Sequence, residues 1–388
     1  ITYEKAHNFI FPSQKFSKKR IGYLMSDMLK LRENLMVNEK LESKPVQIEL
    51  YKLSAYNKLD LDKSFNKSLK DASKKINDNT YKNASFYFDK YALYIEEDHF
   101  FSKKQKHNMR IALFADIHGK ILLPFKLCDL YQEKTGNKVD LILQCGDIGA
   151  FPSLKNLDKA TIRHAKNDRD ELGFYDDFTT EKKEIKTYLD KLNLNMICVR
   201  GNHEDHEYLN QLEEVAGNSR FPIDIYKRVY VCKSGEIQQF EKENETLSFV
   251  GIGRIGDRKG RTAEQFIQDY ERTKIIKLRK TKMMFDILIS HDKDDQSERG
   301  YGMAEIRMII DNVVFQYHFY GHTGEPFNVE LDTNQITQSC KIKELEFTQD
   351  GILPSGCMII LEKENDQLNM EVVPLSITNK LTKHNWKY

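Results

Sequence analysis

The chain has 388 residues, with 60 Lys+Arg against 59 Asp+Glu, a formal net charge of +1 and a hydrophobic share of 40%; that length predicts two domains and that share builds a core. No apolar run approaches the roughly 18 residues of a membrane span and the N-terminus lacks the apolar stretch of a signal peptide, so no membrane partner is expected. The six cysteines lie far apart with no C-x-x-C pair, which excludes a zinc knuckle or a disulfide framework and suits reduced thiols in a cytoplasmic protein.

Residues 1–110 hold 22 Lys+Arg against 14 Asp+Glu, a net +8, and the remainder carries −7. The first 107 residues alternate helical stretches (Ile21 to Leu35, Leu61 to Ile76) with strand-like ones (Pro45 to Leu53, Ser85 to Ile95). They read as an N-terminal basic α+β domain, 1–107, for binding or regulation. Its charge suits nucleic acid or another polyanion, a protein partner is the other reading, and a solvated lysine-rich surface is the plainest. After the linker-like "FSKKQKHNMR" the pattern changes. Short apolar runs recur, each closing on Gly, Asp, Asn or His: "IALFADIHG", "VDLILQCGD", "NMICVRGNH", "LSFVGIGR", "FDILISHD" and "FQYHFYGHTG". Helical stretches such as Leu122 to Lys134 and Glu181 to Leu192 lie between them. This alternation predicts an α/β domain over 108–376 with its site at the carboxyl ends of the strands. Residues 377–388 read as a polar tail.

Five strand ends deliver an ordered series: Asp116 and His118; Asp147; Asn202 and His203; His291; His322. A lone Asp after a strand is usually a turn residue and a lone His usually a satisfied one, but loops from one sheet edge converge on one cleft. Within "VRGNHEDHEY" a zinc-protease reading fails, because His203 and His206 are three apart and H-E-x-x-H places its histidines four apart. His206 and Glu207 are expected as surface residues opening the next helix, and Gly201 as the point where the backbone turns sharply.

The series resembles the calcineurin-like metallophosphoesterase superfamily, whose pattern runs D-x-H, G-D, G-N-H-(E/D), H, G-H-x-H. Here it reads "DIHG" at Asp116 to Gly119, "GD" at Gly146 and Asp147, "GNHE" at Gly201 to Glu204, "SHD" at Ser290 to Asp292 and "GHTG" at Gly321 to Gly324. The resemblance covers Met109 to about Glu346. It implies a four-layer αββα sandwich of two mixed sheets, here with the additional N-terminal α+β domain. It also implies one or two divalent metal ions, of which carboxylate, imidazole and amide ligands suit Mn, Fe or Zn more than Ca. One ion would take Asp116, His118 and Asp147, the second Asp147, Asn202, His291 and His322, with Asp147 bridging. Such a pair clamps a phosphoryl group and lowers the pKa of a shared water, so that a metal-bound hydroxide attacks in line. His203 would protonate the leaving oxygen or stabilise the phosphate.

Two departures bear on this. The family's last histidine is replaced by Gly324, so the first ion keeps at most three ligands from the pattern. It binds weakly, fills the vacancy with water, or recruits Glu325 or another nearby acid. Protein phosphatases of the superfamily carry G-D-x-x-D-R-G, whereas "GDIGAFP" has Ala150 and Phe151 at the Asp and Arg places. That stretch, the long insert before "GNHE", and "VGIGRIGDRKGRTAEQF" are similar to lariat debranching enzymes, which often have cysteine where Asp116 stands.

"GIGRIG" at Gly251 to Gly256 spells a dinucleotide fingerprint but lies outside a first βαβ unit. It reads instead as a loop over the cleft, with Arg254, Arg258, Lys259 and Arg261 for substrate phosphates, or as a solvated basic loop. In the insert, Arg163, His164, Lys166 and Arg169 stand near Phe174, Tyr175 and Phe178, which suits a charged helix with an aromatic core contact more than nucleotide stacking. The expected function is a phosphodiesterase of nuclease type acting on a nucleic acid or nucleotide substrate, with Asp147, Asn202 and His203 catalytic. The alternatives are a phosphomonoesterase on small esters and an interaction module whose catalysis decayed at Gly324.

Overall fold

The computed structural model describes residues 108–387 apart from 244, 258, 282, 296–301 and 365–366. The expectations for residues 1–107 and for Arg258 lie outside the described residues.

Strand β1 (Met109–Phe114) shows how the layers arise. Side chains alternate along a strand, and both faces of β1 are apolar. Ala112 and Phe114 enter a cluster with Leu123, Leu127, Leu189 and Leu209, which come from helices α1 (Leu122–Thr135), α4 (Lys183–Leu192) and α5 (His206–Val215). Met109, Ile111 and Leu113 enter a second cluster with Phe249, Ile287 and Phe319, from β7 (Glu245–Ile252), β8 (Met284–Ser290) and β9 (Val314–Tyr320). The opposite faces of β7 and β8 meet α6 (Asp269–Leu278) and α7 (Ala304–Asn312) through Val250 and Leu288 against Ile275, Ile306 and Ile309, and Phe315 at the start of β9 joins the same cluster. The order is helix, sheet, sheet, helix. Each large apolar side chain buried this way contributes on the order of 1.5–3 kcal/mol.

With β4 (Arg220–Pro222), β6 (Ile237–Lys242), β10 (Asn328–Leu331) and β13 (Gln367–Val372) at the edges, the first sheet has seven strands in the order β13-β12-β1-β2-β3-β5-β4 and the second six in the order β10-β11-β9-β8-β7-β6. In the first, β2 (Leu141–Gln144), β3 (Met196–Cys198) and β5 (Val229–Cys232) run parallel to β1, while β12 (Ile359–Glu364) pairs with it antiparallel. In the second, β7, β8 and β9 run parallel and β11 (Gln338–Lys341) continues alongside β9. Both sheets are therefore mixed, and the parallel centre of each turns its carboxyl strand ends into loops of one rim.

The expected helices at Leu122 and in the 181–192 segment are α1 and α4. The insert after β2 folds into α2 (Lys159–Ala165) and α3 (Gly173–Phe178), with Phe174 and Phe178 packed in the core and Tyr175 exposed. The final residues are not a polar tail. After α8 (Leu375–Thr378) the chain docks on the domain: Trp386 is 3% exposed, and its indole N–H donates to Asp170 at 3.0 Å. One aromatic ring among polar neighbours is enough to anchor a segment that composition reads as solvated. No helix among the described residues is long and apolar enough to cross a membrane.

Candidate metal centre

The loops after β1, β2, β3, β8 and β9 bring the five strand-end groups together. Asp116, His118, Asp147 and His322 all hold φ between +40° and +64°, a region that non-glycine residues rarely adopt and that the surrounding contacts must enforce. Those contacts are visible. The backbone N–H groups of Ile117 and His118 both donate to the Asp147 carbonyl, at 3.0 and 2.9 Å, and the N–H of His322 donates to the Asp116 carboxylate at 3.0 Å.

Two donor sets result. One ligand atom each from Asp147, His291 and His322 lie within 4.8 Å of one another, and so do those from Asp116, His118 and Asp147. Asp147 belongs to both. Asn202 joins the first set, its side-chain oxygen 3.0 Å from His291 Nε2. His291 Nδ1 lies 2.9 Å from the Cys145 carbonyl, which can only accept, so the ring proton sits there. Its Nε2 then carries a lone pair, facing the Asn202 oxygen at 3.0 Å and Asp147 Oδ1 at 3.3 Å. Three acceptors converge with no proton among them, and a cation is the group that such a convergence fits. Burial pushes the pKa of His291 down to about 3, which keeps the imidazole neutral.

The carboxylates agree. Burial, and then the neighbouring Asp147, push the pKa of Asp116 well above the usual range. Burial acts the same way on Asp147, but His291, His118 and His203 and the His203 N–H overcome it and hold that carboxyl well below the usual range. Two buried acids this close need added positive charge to be ionised together. Part of it comes from Lys341, 1% exposed, whose ammonium lies 4.0 Å from Asp116.

His203 stands beside this set, its ring 5.7 Å from that of His118. Its Nδ1 meets Asp158 Oδ2 at 2.7 Å. Burial would lower its pKa, but the Asp158 hydrogen bond and the charges of Asp147 and Asp158 raise it to about 9. Asp158 also caps α2 by accepting from Thr161 N–H at 2.7 Å. The cap is a local signal; the approach to a histidine 45 positions away is not.

Space at the centre is made by small residues. Gly201 does not hold a positive φ. Its requirement is proximity, since a Cβ there would sit 2.1 Å from the Asp147 amide nitrogen, and one on Gly146 would meet the His291 ring at 2.5 Å.

Glu204 ties two of the loops. It accepts from the N–H groups of Ile148 at 2.8 Å, Ala150 at 2.9 Å and Gly201 at 3.1 Å. Burial and the charge of Asp147 raise its pKa to about 7 against those donors. Glu204→Ala would leave three buried N–H groups without an acceptor at about 1–3 kcal/mol each. A loss of at least about 3 kcal/mol in urea unfolding is the expected outcome, with Glu204→Gln costing less because it keeps one acceptor oxygen.

Other expected residues are elsewhere. Arg254 is fully buried, its guanidinium taken up by Glu271 at 2.8 Å, Asn210 at 3.1 Å and Tyr270 at 3.3 Å, so it braces the loop and offers no face to a phosphate. Arg261 pairs with Asp257 at 2.6 Å and lies over the Phe266 ring. His206 opens α5 as expected but is buried, its Nδ1 3.4 Å from Arg254, and is no surface residue.

Residues 109–326 match the family described as calcineurin-like phosphoesterase. No curated protein matches the chain. Among solved structures it is similar to the protein TT1561 of Thermus thermophilus, at 14% identity over 68% of this chain and 99% of that one, with a TM-score of 0.39. It is similar also to a phosphatase from Mycoplasma pneumoniae, at 13% identity over 69% and 92%, TM-score 0.37. A third is the 5'-nucleotidase of Candida albicans, at 13% identity over 71% and 52%, TM-score 0.33.

Proposed function

The chain belongs to the calcineurin-like phosphoesterase family, a family of metal-dependent hydrolases, and we propose that it cleaves phosphodiester bonds in a nucleic acid or nucleotide. Asp116, His118 and Asp147 would hold one divalent ion and Asp147, Asn202, His291 and His322 a second. Bound there, the ions supply Lewis-acid charge to the phosphate and a water of lowered pKa. Everything else falls to side chains. With Nδ1 engaged by Asp158 and its pKa at about 9, His203 is protonated at neutral pH and presents Nε2 as a proton donor. It lines a cleft with His118, Thr161 and His164, where the leaving alkoxide of an ester would emerge.

The observation that carries the diester reading is the nature of the loop after Asp147. Ala150 and Phe151 are buried, Arg254 is spent on the buried Glu271, and Arg261, half exposed, is paired with Asp257. A phosphomonoester dianion has an extra charge to neutralise; a diester monoanion with a poor alkoxide leaving group mainly needs a general acid. For a polymeric substrate the support is α2, which Asp158 caps beside His203. It exposes Lys159, Arg163 and His164, followed by Lys166, a basic flank suited to a phosphate backbone.

Hydrolysis of bis-p-nitrophenyl phosphate and of p-nitrophenyl phosphate, compared at equal Mn²⁺, tests the assignment. The diester should have the higher kcat/KM. The reverse ranking would make the protein a monoesterase.

A further inference from the structure

We propose that Glu346 supplies the ligand that the first ion lacks at Gly324. The idea rests on the two-ion reading above and concerns a residue outside the family pattern.

Position 324 cannot contribute a donor, although it has room for one. A Cβ built there would meet only Glu344 Oε1, at 3.6 Å. The side of the Asp116, His118 and Asp147 set that this leaves open is flanked by the strand-like segment after β11. Leu345 donates to the Ala115 carbonyl at 3.1 Å, and Glu344 pairs with Ala115, so residues 344–346 run alongside 115–118. Leu345 is buried in the core. The alternation of an extended chain then turns Glu344 and Glu346 away from that core.

Of the two, Glu346 lies against His118, at the edge of the donor set. Its Oε1 lies 3.9 Å from His118 Nε2, and Asp147 Oδ2 lies 4.0 Å from the same nitrogen. Both separations are too long for hydrogen bonds. They fit donors that each bind a shared ion at about 2.0–2.2 Å, which stand roughly 3–4 Å apart. Glu344 turns Oε1 toward position 324 and its charge acts on Asp116, but its Oε2 pairs with Lys343 at 3.2 Å. Glu346 keeps a side chain 45% exposed that makes no hydrogen bond among the described residues, so its carboxylate is free to swing the remaining distance. Lys341, buried 4.0 Å from Asp116, offsets part of the added negative charge.

The test is metal binding by the full chain, without substrate. Protein stripped with chelator is titrated with Mn²⁺ by calorimetry, and bound metal is counted by elemental analysis after gel filtration. Wild type and the control Glu325→Gln should each bind two ions. Glu346→Gln should keep one tight ion and bind the other at least about tenfold more weakly, with unchanged circular dichroism. Two ions at unchanged affinity in Glu346→Gln would overturn the proposal while the two-ion reading stood. One ion or none in the wild type would remove the two-ion reading and the proposal with it.

Discussion

Asp147→Asn should lower the hydrolysis of either nitrophenyl ester by about 10³-fold or more and abolish uptake of at least one ion. Asp147 is the residue common to both donor sets. Charge stabilisation by a correctly held ion is worth several kcal/mol, and about 1.4 kcal/mol corresponds to a decade in rate. The amide keeps the shape and can still accept the N–H groups of Asn202 and His203, each at 2.8 Å from Oδ1. The fold should therefore survive, and thermal unfolding of the metal-free protein should show that it does. If the variant retained most of its activity and its metal content, the shared carboxylate would not organise this site.

His203→Ala should have the next largest effect, and its size should depend on the leaving group. General acid catalysis contributes about 10²–10⁴-fold. A nucleoside alkoxide needs the proton and p-nitrophenolate hardly does, so the loss should be large on a dinucleotide and small on bis-p-nitrophenyl phosphate. An equal loss on both would assign His203 to phosphate binding instead. Asp158→Asn separates positioning from chemistry. The hydrogen bond and charge of Asp158 raise the His203 pKa, so neutralising it lets that pKa fall. His203 must be protonated to act, and activity is lost as pH rises through its pKa. The alkaline limb of the pH profile should thus move to lower pH in Asp158→Asn, with His203 still present. A profile that kept its limb would leave Asp158 only as the cap of α2.

What could be read in the chain itself was local. An apolar run of four to seven residues followed at once by Asp, His or Asn marks a strand and its exit loop, and both facts are written in adjacent positions. For that reason the series from Asp116 to His322 and the α/β layering were legible, and the family match over 109–326 covers the same ground. The tertiary structure decided everything that depends on which distant segments touch. Asp158 could be recognised as a helix cap, yet only folding of the insert sets it against His203. Arg254 sits in a glycine-rich basic stretch that suggests phosphate, and the burial of its guanidinium against Glu271 turns it into a brace. Residues 377–388 read as a polar tail, and the burial of Trp386 makes them an anchored segment. Periodicity and residue type follow from a few neighbouring side chains, whereas burial and partnership follow from loop closures across tens or hundreds of residues, and no short window of sequence contains them.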